Sequence, residues 1–166
     1  MSTTAILQTL VQLEQLHSSL LQLAVDKMEI LKQGDMEKLD GLLKDEQAHV
    51  AAIVQMENKR QQSVVGYLAS KGQSSLENAT ITEVIKWADS IDEQQALQAA
   101  RDSLLETIHQ LKQQNDLNQK LTMQSLQLVN ISLDAIRPRP EQATYTRPDQ
   151  DRKKPSEGFS TFDSQA

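Results

Sequence analysis

The sequence contains no cysteine, so neither disulfide bonds nor thiolate metal sites can form. Aromatic residues make up only 3% of its 166 residues, whereas a compact globule of this length usually relies on several buried aromatic anchors. The apolar residues are instead Leu, Ile, Val, Ala and Met, spread along extended segments. This composition favours long helices packed side by side in one domain.

Long apolar runs are also absent. No stretch approaches the roughly 18–20 apolar residues that cross a bilayer. The N-terminus lacks the basic flank and the apolar core of a secretory signal. We therefore expect a cytoplasmic protein with no membrane insertion.

An excess of positive charge is missing as well, because the net charge is −6. Residues 1–136 carry 11 basic and 18 acidic side chains, a balance of −7, and residues 137–166 carry six and five, a balance of +1. An acidic body repels phosphate groups, so the sequence argues against nucleic acid as a partner.

Proline does not occur before residue 138, which leaves room for long helices. A first helix is predicted over residues 3–33 from apolar residues at three- and four-residue steps, namely Ile6, Leu10, Leu13, Leu20, Ala24 and Leu31. Gly34 can end this helix and Asp35 can cap the next one, which we expect over residues 36–71. Its apolar positions are Leu39, Leu43, Val50, Ile53, Val54, Val64 and Leu68.

Three capping-box patterns follow within twenty residues, beginning at Ser74, Thr80 and Ser90. They predict a short helix over about residues 81–89, carrying Trp87, and a third long helix over about residues 92–136. The fold class is therefore all-α, with long antiparallel helices forming a coiled-coil-like helical bundle over residues 1–137.

All four prolines lie in residues 138–166, which contain no Leu, Ile, Val or Met. Such a segment cannot bury enough apolar surface to offset the entropy lost on ordering, so we expect a disordered C-terminal tail. The tail nevertheless holds Tyr145, Phe159 and Phe162, three of the five aromatic residues. They are candidate docking points, although their positions could also be incidental.

The patterns that support catalysis are lacking. His17, His49 and His109 are far apart in sequence, and none has the i, i+4 partner of a helical zinc site. The glycines are isolated, so no phosphate-binding loop exists, and no serine lies in a nucleophile elbow. We expect a protein that is not an enzyme and has no cofactor or metal.

The end of the third long helix is the most informative segment. Two polar residues interrupt its apolar stripe, and apolar residues then continue it: Asn115, Asn118, Leu121, Leu126, Val129, Leu133 and Ile136. Met123, Leu128 and Ile131 add apolar surface on other faces, more than one packed side uses. This surplus predicts a binding surface for a partner helix.

The asparagines allow two interpretations, because a buried unpaired amide costs about 1–3 kcal/mol. They could fix the register of the bundle, as polar seam positions do in coiled coils, or they could meet another chain. The surplus apolar surface likewise fits a heterologous partner or a second copy. A homo-oligomeric coiled-coil scaffold and a helical regulatory adaptor therefore remain alternatives.

The run Asn115-x-x-Asn118-x-x-Leu121, with the apolar residues after it and Tyr145 in a Pro-rich tail, resembles the FlgN family of flagellar export chaperones. The length, the acidic charge and the plan of long helices are also similar to that family. The resemblance implies a cytosolic chaperone that binds hook–filament junction (hook-associated) proteins before type III export and prevents their premature assembly.

The resemblance also implies roles for particular residues. The C-terminal helix would hold the client, with Asn115, Asn118, Leu121, Leu126, Val129, Leu133 and Ile136 as contact residues. Tyr145 would help dock the loaded chaperone on a component of the export gate. Under this interpretation, the protein acts as a monomer or a weak dimer.

Overall fold

The computed structural model describes residues 3–73 and 79–137, and its regular secondary structure over these residues is entirely helical. Four helices follow one another: α1 (Thr3–Gln33), α2 (Met36–Ser70), α3 (Ile81–Lys86) and α4 (Ile91–Ile136). The prediction of an all-α fold is confirmed. None of these helices combines the length and apolarity that spanning a membrane requires.

The turn between α1 and α2 has the predicted structure. Gly34 adopts a φ of 70°, a left-handed conformation that glycine reaches without the Cβ clash of other residues. Asp35 then caps α2, since its side chain accepts a hydrogen bond of 3.0 Å from the Lys38 backbone N–H. This hydrogen bond, with the nearby Lys38 ammonium, holds the pKa of Asp35 below its ordinary value.

The short helix α3 begins at the predicted cap, because the Thr80 hydroxyl accepts from the Glu83 N–H. It ends at Lys86, three residues before the predicted end. The Trp87 N–H bonds both to the Glu83 and to the Val84 carbonyl, and such a tightened turn is common where a helix stops. Ser90 is extended and caps α4, as its capping-box pattern predicts. The Ser74 pattern lies outside the described residues.

Helix α1 is the central element, because it packs along both α2 and α4. It runs antiparallel to α2, with Lys27 paired to Glu46 at 2.8 Å. It runs parallel to α4: the Thr3 hydroxyl donates to Glu93 at 2.7 Å, and the Asn118 amide donates to the Ala24 carbonyl at 2.7 Å. Consecutive long helices are thus antiparallel, which makes the first and the last of them parallel.

The core lies at the end of the bundle that α3 closes. Its buried residues come from the start of α1, the end of α2, α3 and the first half of α4, namely Ile6, Leu10, Leu13, Val64, Tyr67, Leu68, Ile81, Val84, Leu97 and Leu104. Burial raises the pKa of the Tyr67 hydroxyl, which donates a 2.8 Å hydrogen bond to the Trp87 carbonyl. This bond ties α2 to the segment between α3 and α4. We call this the closed end, and the end at the α1–α2 turn the open end.

Candidate partner-binding surface

One face of α4 lies against α1 along most of the bundle. Its buried residues recur every seven positions, at Leu97, Leu104, Leu111 and Asn118. A seven-residue step returns a helix to nearly the same face, so these side chains form one seam. The seam is apolar at its first three positions and polar at the fourth.

The same face of α4 continues beyond the seam with four apolar residues. At 100° per residue, they fall within an arc of about 80° that overlaps the seam. Here, however, the side chains are between 47% and 78% exposed: Leu126, Val129, Leu133 and Ile136. An apolar stripe that is covered in the first part of the helix is therefore uncovered in the last part.

Part of this exposure follows from the length of α4 relative to α1. Asn118 bonds to Ala24, which is nine residues before the end of α1, whereas α4 continues for 18 residues after Asn118. At 1.5 Å per residue, α4 projects past its neighbour by roughly 13 Å. We call the exposed residues from Thr122 to Ile136 the distal α4 surface.

The distal α4 surface is apolar on more than one face and carries little charge. Met123, Leu128 and Ile131 lie outside the stripe and are each at least 59% exposed. No charged residue occurs between Leu121 and Leu133, where the polar residues are Thr, Ser, Gln and Asn. Scattered exposed apolar residues are common, but a contiguous patch of this kind is typical of an interaction site.

The two asparagines of the predicted site have different surroundings. Asn118 is 3% exposed, and its amide both donates to the Ala24 carbonyl and accepts from Gln114 at 3.2 Å. The side chain of Asn118 is therefore occupied inside the bundle, which favours the role in register over the predicted contact with a client. Asn115 is exposed, and Leu121 is half-buried between the seam and the distal surface.

Sequence reasoning missed a second exposed apolar row, on α2. Met36, Leu43, Val50 and Val54 lie on one side of the helix and are between 38% and 64% exposed. The signal was present as a step of seven, seven and four residues, which places all four on one face. The sequence alone does not separate this row from the core positions next to it.

A groove connects the α2 row with α4. Leu20 and Lys27 of α1 form its floor, and its volume is about 420 Å³. The walls come from α2 and α4 and include Glu46, Val50, Asn115, Asn118, Gln119, Thr122 and Met123. We call this space the α2–α4 groove, and it opens at the same end of the bundle as the distal α4 surface.

The histidines take part in local hydrogen bonds. His17 bonds through Nδ1 to the Leu13 carbonyl at 2.7 Å, and His49 bonds to the Ser19 hydroxyl at 2.8 Å. Across residues 3–73 and 79–137, no group of three or more His, Asp or Glu side chains is placed to hold a metal ion. Tyr145, the predicted docking residue for the export gate, lies outside the described residues.

Comparisons with known proteins identify the family. The sequence model described as FlgN protein matches residues 1–153, which include every described helix and extend beyond Tyr145. A curated relative, the uncharacterized protein YvyG of Bacillus subtilis strain 168, is 34% identical over 166 residues, the full length of both chains. No solved structure matches the chain. The chain thus belongs to the FlgN family of flagellar export chaperones.

Proposed function

We propose that this protein is a cytoplasmic chaperone that binds hook–filament junction proteins and holds them until flagellar type III export. Membership of the FlgN family supports the general role. The single observation that carries the assignment of the site is the uncovered continuation of the α4 seam, from Leu126 to Ile136. The protein works by binding its client and performs no chemical step on it.

The client contributes an amphipathic terminal helix, which buries its apolar face on the distal α4 surface. Leu121, Leu126, Val129, Leu133 and Ile136 form the apolar contact, and Asn115 lies at its edge. The client helix takes the place that α1 occupies along the earlier part of α4. A helix that is unstable and prone to aggregate alone gains a partner, and it is unable to assemble with other subunits while bound.

The affinity expected for this contact is intermediate. Burying roughly 500–700 Å² of apolar area at about 25 cal/mol per Å² gives a gross gain of about 12–18 kcal/mol. Association and the ordering of the client helix offset much of this gain, which leaves a dissociation constant between micromolar and nanomolar. Such a value suits a chaperone, because the client must be released at the export gate.

Substitutions on the exposed stripe test this proposal. We expect Leu126→Asp and Leu133→Asp each to abolish client binding, because a carboxylate would be desolvated against the client helix. Helicity should change little, since both side chains are about half exposed in the free protein. Calorimetric titration with a purified hook–filament junction protein measures the affinity, and circular dichroism at 222 nm measures the helicity.

Leu128→Asp is the matched control, because it makes the same change in the same helix on a face away from the stripe. It should weaken binding less than the two stripe variants. Unchanged client affinity in Leu126→Asp or Leu133→Asp would refute the site. Sedimentation of the protein alone distinguishes the chaperone from the scaffold alternative. A scaffold requires a stable homo-oligomer that the two stripe variants disrupt.

A further inference from the structure

The α2–α4 groove has α2 on one side and α4 on the other, and none of the described helices lies between them. On one side Val50 lines the groove, and it belongs to the exposed α2 row of Met36, Leu43, Val50 and Val54. On the other side lies α4, where Met123 faces the groove opposite Val50. Helices α2 and α4 both pack on α1, but they make little contact with each other along their length. The bundle at this end therefore has three helices around a space suited to a fourth.

Polar side chains line much of the groove, and Leu20, Val50 and Met123 are its apolar lining residues. The Lys27 ammonium pairs with Glu46 at 2.8 Å, and the two side chains are only 22% and 16% exposed. Asn115 and Gln119 lie on the α4 side of this ion pair. A helix in the groove would cover the ion pair while its own flanks contact aliphatic side chains. The helix that fits this groove best has an amide or a hydroxyl facing the Lys27–Glu46 pair and apolar residues facing Val50 and Met123.

We propose that the α2–α4 groove is a second part of the client site, occupied by an amphipathic helix of the exported client. This inference rests on the proposed function and extends it from one helix to the whole open end. From Met36 to Val54 the α2 row rises by 18 residue steps, or roughly 27 Å, which sets the minimum length of the client helix. Because the groove opens beside the distal α4 surface, the same helix continues from Val50 onto Leu126.

Two other occupants are too short or too polar for this groove. The exposed part of α4 that a second copy could insert is the distal α4 surface, from Thr122 to Ile136, which is roughly 22 Å long and shorter than the α2 row. The chain's own residues 138–166 have no Leu, Ile, Val or Met, and their longest stretch without proline is 11 residues. Neither supplies an 18-residue amphipathic helix. A heterologous client helix meets the requirement.

Val50→Asp tests the inference. The probe is a fluorescein-labelled peptide of about 25 residues from the terminal helix of a hook–filament junction protein, and fluorescence anisotropy measures its affinity. We expect at least a tenfold loss in Val50→Asp, because the new carboxylate would be buried between the client helix and α1. Val11→Asp is the matched control: Val11 is 42% exposed on α1 and does not line the groove, so its affinity should stay within about twofold.

Cross-linking tests the same contact without placing a charge in the groove. Because the chain has no cysteine, Val50→Cys, Leu126→Cys and Val11→Cys each introduce a single thiol. Peptides carrying one cysteine at successive positions should form disulfides with Val50→Cys and with Leu126→Cys at different peptide positions. Val11→Cys should form none above background.

The outcomes separate this inference from the function on which it rests. If Leu126→Asp abolishes binding but Val50→Asp and Val50→Cys show no effect and no cross-link, the groove is not part of the site and the proposed function stands. If the peptide does not bind the wild-type protein, both fail. A homodimer in sedimentation that Val50→Asp dissolves would also overturn the inference, because the occupant would then be a second copy.

Discussion

At the scale of single residues, Asn118 holds the two parallel helices in register. Its amide reaches the Ala24 carbonyl from a seam whose three earlier buried positions are leucines. The Gln114 amide completes the arrangement by donating to the Asn118 oxygen. A shift of α4 by one turn would leave this amide buried and unpaired, which costs about 1–3 kcal/mol. Asn118 thus helps to fix how far α4 projects beyond α1.

Asn118→Ala should destabilise the protein by about 2 kcal/mol, because it removes a buried hydrogen bond and leaves a cavity. Urea unfolding followed at 222 nm measures the free energy. The affinity of the folded protein for its client should change by less than about threefold, or roughly 0.6 kcal/mol. Asn115→Ala is the control, and its free energy of unfolding should stay within about 0.5 kcal/mol because Asn115 is exposed.

The opposite result would favour the interpretation in which Asn118 contacts the client. If Asn118→Ala left the free energy of unfolding unchanged and abolished client binding, this side chain would have to meet the client. The two asparagines are only three residues apart on one apolar stripe, so their sequence contexts are nearly alike. Both line the groove, but the neighbouring helix distinguishes them: α1 covers Asn118, which is 3% exposed, whereas Asn115 is exposed.

At the scale of elements, α4 combines two roles along its length. Its first part is a packed helix with charged residues on its outer face, and its last part is nearly uncharged on all faces. Hydroxyl groups in this part bond back to the helix itself, as when Ser125 donates to the Leu121 carbonyl and Ser132 to the Leu128 carbonyl. These polar side chains are satisfied within α4, so the surface offers mainly apolar contact.

Client binding should therefore depend little on salt. With no charged side chain between Leu121 and Leu133, screening removes little of the interaction free energy. We expect the dissociation constant to change by less than about threefold between roughly 50 and 500 mM sodium chloride. Calorimetric titration at several salt concentrations measures it. A steep loss of affinity with salt would mean that charged residues outside the distal α4 surface dominate the contact.

The caps of the helices were accessible to sequence reasoning because they are local. Gly34, Asp35, Thr80 and Ser90 take the conformations and hydrogen bonds that their patterns predict. The end of α3 was not accessible to sequence reasoning, because the tightened turn at Trp87 belongs to a segment that Tyr67 of α2 holds in place. A local pattern does not contain that distant contact.

At the scale of the whole molecule, the two ends of the bundle differ in how much apolar surface they bury. The closed end contains the hydrophobic core, and the open end exposes the α2 row, the groove and the distal α4 surface. Because the buried residues concentrate at the closed end, we expect stability and client binding to depend on largely different side chains. An apolar surface can therefore stay exposed at the open end while the core keeps the protein folded. Substitutions at the open end should not unfold the protein.

Tyr145→Ala should separate client binding from delivery. We expect unchanged affinity for the client, since the proposed contacts lie on the described helices, together with reduced secretion of the client if Tyr145 docks on the export gate. The amount of client in the culture medium and swimming motility measure the effect. Tyr145→Phe, which keeps the ring, is the control. Normal secretion by Tyr145→Ala would exclude the docking role.

The sequence by itself determined the all-α class, the turns, the caps and the apolar surplus at the end of α4, because each follows from local spacing and residue type. The tertiary structure decided which parts of the apolar stripes are covered. Coverage depends on the relative lengths and offsets of packed helices, and these follow from contacts such as Asn118 with Ala24. The α2 row shows the same limit, since its periodicity matches that of a buried face while no neighbour lies over it.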